Sequence, residues 1–197
     1  MPVYRLIKEP FFPPASEAEP DGLVAIGGDF TPQRLLNAYA SGIFPWFDDG
    51  QDIYWFSPDP RLVLFPEQLR IPASLARVIR QNRFDVRFDH DFKAVMEHCA
   101  NVPRKHEEGT WISEWFIKGY TRLHKLGYAH SAEAYLGGQL VGGLYGVSIG
   151  TAFFGESMFY LEPDASKVAF IKLVKRLQAQ GVRIIDCQVE TEHLRRF

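Results

Sequence analysis

The sequence predicts an α+β protein in two parts: a small N-terminal α/β domain over residues 1–62, and a larger domain over residues 63–197 built on a mixed, largely antiparallel sheet. Three observations carry that expectation. Up to Pro60 the chain is punctuated by Pro and Gly yet is too aromatic for a linker, so it reads as ordered loops and short strands around one helix. Past Pro58-Asp59-Pro60, helical and strand periodicities alternate. Residues 130–158 then make three strand-like runs separated by turns, followed by a helix and a last strand.

In chain order, the first helix has Thr31 as N-cap, Pro32 at the first helical position and Leu35, Leu36 and Tyr39 as its apolar face. Residues 73–82 predict a second helix, with Leu75, Val78 and Ile79 on one face and Arg77, Arg80 and Arg83 spread over the opposite one. Residues 84–88 form a strand. Asp91 caps a helix carrying Phe92, Val95, Met96 and Cys99 at the i, i+3, i+4, i+7 spacing. Glu107-Glu108-Gly109 is a loop, and Ser113 opens a helix that ends at Gly127. Residues 130–136, 140–147 and 151–158 form an antiparallel meander, turning at Gly137-Gly138 and at 148–150. Asp164 or Ser166 starts the last helix, with Phe170, Leu173, Val174 and Leu177 inward and Gly181 at its end, and residues 182–189 are the final strand.

Of the 197 residues, 46% are hydrophobic and 23% charged, which excludes a mainly disordered chain. The apolar runs break off well short of the ~18 residues of a membrane helix, and the N-terminus lacks the apolar core of a secretion signal. Cys99 and Cys187, far apart, exclude a disulfide scaffold or a cysteine zinc site, and a reducing cytoplasm is the expected location. The net charge of −2 argues against a general nucleic-acid coat, but it is unevenly spread. Residues 1–60 hold nine acidic side chains against Arg5, Lys8 and Arg34, whereas residues 61–83 hold five arginines against Glu67 alone. That contrast suggests one local anionic contact on an otherwise acidic body.

Three constellations have the residue types for chemistry. In Arg183-Ile184-Ile185-Asp186-Cys187-Gln188, a period of two puts Ile184, Asp186 and Gln188 on one face of a largely buried strand, where an unpaired carboxylate is expensive. Alone, Asp186 reads as a structural carboxylate satisfied by buried hydrogen bonds. Glu156, placed at the end of a strand that neighbours the last one across the helix, adds a second carboxyl and with Gln188 suits proton handling and positioning of an amine. Trp46, in Gly42-Ile43-Phe44-Pro45-Trp46-Phe47, and Trp111, in Gly109-Thr110-Trp111-Ile112, either fill a small core or present a face to a base. Arg77, Arg80 and Arg83 are either a solvated helix face or a contact for RNA phosphates. No phosphate loop, dinucleotide fingerprint, zinc-spaced histidine cluster or G-x-S-x-G elbow occurs, which disfavours nucleotide hydrolysis, dinucleotide cofactors and serine hydrolysis.

Further stretches run in order over almost the whole chain: Gly22-Leu23-Val24-Ala25-Ile26-Gly27-Gly28-Asp29, Gly42-Ile43-Phe44-Pro45-Trp46, Ser57-Pro58-Asp59-Pro60-Arg61, Gly109-Thr110-Trp111-Ile112, His130-Ser131-x-Glu133, Leu140-Val141-Gly142-Gly143-Leu144-Tyr145-Gly146, Gly155-Glu156-Ser157-Met158-Phe159, Ala165-Ser166-Lys167 and Ile185-Asp186-Cys187-Gln188. Together they resemble one family, the bacterial leucyl/phenylalanyl-tRNA–protein transferases. The resemblance implies a small N-terminal domain and a catalytic domain with the acyl-CoA N-acetyltransferase-like fold. The implied activity moves Leu or Phe, and less readily Met, from its tRNA to proteins that begin with Lys or Arg, marking them for degradation by the N-end rule. It also implies that the tRNA's terminal adenine stacks between Trp46 and Trp111. Leu144, Phe153, Met158, Phe170, Leu173, Leu177 and Ile185 would then form the pocket for the Leu or Phe side chain, with Ser157 among the substrate-binding positions. Arg77, Arg80 and Arg83 resemble the family's basic patch for the tRNA body. Members of the family usually continue past the His193-Leu194 region with a Gly-Ala and Arg-rich segment, which this chain, ending at Phe197, is expected to lack.

The implied chemistry is aminolysis of an ester. Asp186 is expected to orient Gln188 and act electrostatically, Gln188 to hold the attacking amine, and Glu156 to bind the acceptor's amine or cationic side chain. The ester is already activated, so positioning supplies much of the rate, with no metal, organic cofactor or membrane partner. One rival is an acyl-CoA-dependent N-acetyltransferase, but residues 156–164 lack the glycines that let a backbone nest approach pyrophosphate. The other is a non-catalytic RNA- or peptide-binding module, which would keep Trp46, Trp111 and the arginines and have no need of Asp186, Gln188 and Glu156 together.

Overall fold

Proline and glycine set where the first sixty residues turn, and the apolar residues between them pair into strands. The computed structural model describes residues 3–47, 52–101, 112–191 and 194–197. In chain order its strands and helices are β1 (Tyr4–Leu6), β2 (Leu23–Gly27), α1 (Pro32–Ala40), β3 (Phe44–Phe47), β4 (Ile53–Phe56), β5 (Leu62–Leu64), α2 (Ala73–Arg80), β6 (Asp85–Phe88), α3 (Phe92–Asn101), α4 (Glu114–Lys125), β7 (Ala129–Leu136), β8 (Gln139–Ile149), β9 (Ala152–Tyr160), α5 (Ala165–Ala179) and β10 (Ile184–Gln188). The fold is α+β, with two mixed sheets. These elements divide into two compact units, Met1–Pro60 with Pro103–Leu123, and Arg61–Val102 with His124–Phe197.

In the first unit the strand order is β1-β2-β4-β3, with β1 parallel to β2 and the other pairs antiparallel. Trp55 is fully buried at its centre, its indole N–H donating to the Gly27 carbonyl at 2.8 Å and its ring met edge-on by Phe12. A large ring buried with its polar atom satisfied is the favourable way to spend an indole. On α1, Leu35, Ala38 and Tyr39 are buried, while Leu36 is half-buried. Thr31 occupies the N-cap position, but its hydroxyl does not cap: it donates to Asp29 Oδ1 at 2.6 Å, and the Thr31 amide donates to the same oxygen at 2.9 Å. Most of α4 also packs in this unit, where Phe116 and Tyr120 stack at 4.3 Å and Phe30 meets Phe116 at 5.2 Å. A Cβ at Gly119 would stand 2.7 Å from that of Phe30, so the close approach requires glycine.

In the second unit the order is β5-β10-β9-β8-β7-β6, and every neighbouring pair is antiparallel except β9 and β10. The expected meander is β7-β8-β9. A parallel pair needs a crossover, and α5 supplies it. Along β8, Gly142 lies against α5 and its neighbour Gly143 against Val95 of α3, so the two helices cover opposite faces of the sheet. The core of the unit lies between α5 and the sheet. As the spacing predicts, α3 buries Phe92, Val95, Met96 and Cys99, and Asp91 Oδ1 accepts the Ala94 amide at 3.2 Å. Among the described residues no helix is long and apolar enough to cross a membrane.

Candidate active site

The parallel pair is registered only where Ile184, Ile185 and Asp186 lie against Ala152, Phe153 and Phe154. Continued two residues further, that register sets Gln188 level with Glu156, and there a side-chain contact replaces the backbone ladder: Gln188 Nε2 donates to Glu156 Oε1 at 2.8 Å. Both strands are irregular at this level. Against β8, Gly155 lies opposite Gly146 and Ser157 opposite Tyr145, so Glu156 is an extra residue within β9 and not at its end. Against β5, Asp186 lies opposite Val63 and Gln188 opposite Leu62, which leaves Cys187 extra. Such bulges bend a strand and re-aim its side chains. A Cβ at Gly146 would stand 2.2 Å from the Phe154 carbonyl oxygen and 2.6 Å from the Phe153 ring, so glycine is what admits β9 here. The alternation expected of Ile184, Asp186 and Gln188 is interrupted at Cys187. Gln188 adopts the left-handed φ of 61° and donates its backbone amide to Asp186 Oδ1 at 2.8 Å.

Asp186 and Gln188 are both buried. The buried carboxylate finds its cation in Arg61, whose Nε donates to Oδ1 at 2.9 Å and whose Nη2 donates to Oδ2 at 2.6 Å. This two-point contact is the strong form of a charged hydrogen bond. Both oxygens of Asp186 are thus engaged by donors, and the residue reaches Gln188 through the backbone, while Glu156 holds the Gln188 side chain. Cys187 adds no nucleophile: burial and the adjoining Asp186 push its thiol up to about 12.

The family described as "Leucyl/phenylalanyl-tRNA protein transferase" matches residues 63–197, and its N-terminal domain family matches residues 28–59. The chain belongs to this family. Relatives named leucyl/phenylalanyl-tRNA–protein transferase include one from Anaeromyxobacter sp. strain Fw109-5, 58% identical over 100% of this chain and 84% of its own length. Another, from Myxococcus xanthus, is 53% identical over 100% of this chain and 85% of its own length. The solved structure of a conserved protein from Bacteroides thetaiotaomicron shares the fold, with a TM-score of 0.51 and 12% identity over 87% of this chain and 62% of that one. Membership bears out the resemblance and makes the chain an aminoacyltransferase.

For a transferase of this family, the remaining assigned residues fall into four groups. Leu144, Phe153, Phe170, Leu173, Leu177 and Ile185 converge on one cluster and are each 4% exposed or less, with Met158 partly buried against it. They are close-packed core; two surface grooves of this unit, of about 500 and 460 Å³, are lined by other residues. Ser157 is half-buried on β9. Trp46 is 39% exposed and meets Phe56 edge-on, which leaves part of the ring at the surface; Trp111 lies outside the described residues. Arg77 and Arg80 are exposed on α2, whereas Arg83 is held by Glu162 at 2.6 Å and lies over the Phe84 ring. Two residues were not singled out from sequence. Trp115 is 71% exposed, with Lys118 over its ring. Arg61 stood in a matching stretch without a role, although the cost of a buried Asp186 already called for a cation.

Proposed function

We propose that the chain transfers Leu or Phe, and less readily Met, from Leu-tRNA or Phe-tRNA to the α-amine of proteins that begin with Lys or Arg, marking them for N-end rule degradation in the cytoplasm. The observation that carries this reading is the Gln188–Glu156 pair, held where β9 and β10 leave their shared register, beside a carboxylate already matched by Arg61. The neutral α-amine attacks the ester carbonyl and a C–N bond forms. The tetrahedral intermediate then expels the ribose oxygen, which ends with the proton that the amine gives up.

Gln188 holds the amine against the carbonyl. Glu156 fixes the Gln188 amide and supplies the negative charge that selects a cationic first residue. Asp186 acts electrostatically and through the Gln188 backbone. An aminoacyl ester is already activated, so holding the reactants in place supplies much of the acceleration without a metal or organic cofactor. Trp46 and Trp111 take the terminal adenine, Arg77 and Arg80 take tRNA phosphates, and the donor's side chain enters the apolar cluster of Phe153, Phe170 and Ile185, whose close-packed side chains must part to admit it. Family membership supports these assignments. The test is transfer of labelled Phe from Phe-tRNA to a protein beginning with Arg, beside the same protein beginning with Gly. Transfer to the first alone is expected; equal transfer to both, or to neither, overturns the reading.

A further inference from the structure

The proposed chemistry depends on where Gln188 sits, and that place is set from the opposite edge of β10. Leu62 of β5 lies opposite Gln188 and Val63 opposite Asp186, so Arg61, the residue just before β5, arrives beside the bulge. Its guanidinium grips both oxygens of Asp186, and Asp186 Oδ1 in turn accepts the amide of Gln188 in its left-handed conformation. A side-chain-bearing residue holds that conformation only where its surroundings over-determine it. We propose that Arg61 is a positioning residue of the transfer reaction. By fixing Asp186 at two points it locks the Gln188 backbone, and with it the amide that Glu156 holds. It also matches the charge of Asp186. This inference rests on Gln188 and Glu156 being the reacting pair.

The test compares Arg61→Met, Arg61→Lys, Asp186→Asn and the double variant Arg61→Met/Asp186→Asn in the full chain, by single-turnover transfer of Phe to an Arg-beginning protein, with unfolding curves alongside. Arg61→Met is expected to lower the maximal rate by about tenfold or more while donor affinity changes by less than about twofold. Arg61→Lys, which keeps the charge but not the planar fork, recovers part of the rate. The double variant, with no stranded charge, transfers within about twofold of Asp186→Asn alone, because the two residues act as one unit. Normal transfer by folded Arg61→Met overturns the proposal. So does a double variant whose loss is the product of the single losses, since Arg61 would then act on substrate directly. If Arg61→Met does not fold, Arg61→Lys and the double variant decide by the same criteria. Normal transfer by both Asp186→Asn and Gln188→Ala would be a different failure, removing the site itself and the inference with it.

Discussion

Removing one partner of a buried ion pair costs about 3–5 kcal/mol, because the other charge is left uncompensated. Asp186 is buried but Arg61 is only half-buried, so the cost at this pair is smaller than that, and any variant at Asp186 still has to be followed in folding and in turnover at once. Asp186→Asn keeps the shape and an oxygen for the Gln188 amide while removing the charge. Turnover is expected to fall by about a hundredfold, or ~2.7 kcal/mol of transition-state free energy, with donor affinity little changed. Gln188→Ala should lose a similar amount, and the double variant much less than the sum. Single-turnover transfer measured beside a denaturation curve checks this; near-normal transfer per folded Asp186→Asn molecule would reduce the residue to satisfying buried donors. For Trp46 the surroundings point the other way. A ring partly at the surface, meeting Phe56 only by its edge, contributes modestly to packing. Trp46→Ala should therefore cost ~1–3 kcal/mol in affinity for an aminoacyl-adenosine donor and leave the melting temperature nearly unchanged. A large fall in melting temperature with unaltered affinity would return the ring to the core.

Elements whose signal is local were legible from sequence. The i, i+3, i+4, i+7 row of α3 with its Asp91 cap, the Ser113 start of α4 and the meander β7-β8-β9 all follow from periodicity and turn residues. What escaped depends on partners distant in the chain. Arg61 and Asp186 stand 125 residues apart, and neither bulge has a two-residue signature that periodicity could detect. The bulge of β9 is written instead into Gly146, where the backbone and ring of the next strand fill the space of a side chain. Gly146→Ala is expected to destabilise the protein by about 1–3 kcal/mol or more, as overpacking does, and to lower transfer per folded molecule because Glu156 sits on that bulge. Urea unfolding and single-turnover transfer test the two effects separately. On α2 the arginine face divides: Arg83 is engaged by Glu162, while Arg77 and Arg80 are exposed. Replacing Arg77 and Arg80 by Gln should weaken use of whole aminoacyl-tRNA and flatten the slope of log affinity against log salt by roughly 1–2, with puromycin or aminoacyl-adenosine used almost as before. Equal losses with both kinds of donor would place the two arginines at the adenosine site or in a structural role.

At the scale of a whole unit, three groups with shifted proton affinity sit together where β7 meets the start of α3. His130 Nδ1 lies 2.9 Å from Asp89 Oδ2, and the hydrogen bond with Asp89 raises the imidazole above its ordinary value of 6.5. Burial pushes Asp89 up, but the bonds from His130 and the Ser131 amide outweigh it and hold the carboxyl below 3.8. Burial raises Glu133 above 4.5, against the hydrogen bond that Ser131 Oγ donates to it. These three shifts act in different windows. The fold binds the His130 proton more tightly than the unfolded chain does, so that stabilisation is complete below pH 6.5 and lost as pH rises through the folded value. The Asp89 contribution is present above pH 3.8 and lost as pH falls through its lowered value. Glu133 favours the fold when protonated, so its contribution is present below pH 4.5 and lost as pH rises through its raised value. Between pH 6 and 9, therefore, the unfolding free energy should fall more steeply than in His130→Gln, which has no proton to lose there. With both side chains of the pair 34% exposed, solvent screening holds the difference to about 1 kcal/mol or less. Urea unfolding at constant temperature across that range, on the two proteins side by side, measures it. Parallel curves would mean that the His130–Asp89 contact adds no proton-linked stability and serves only to place the start of α3 against β7.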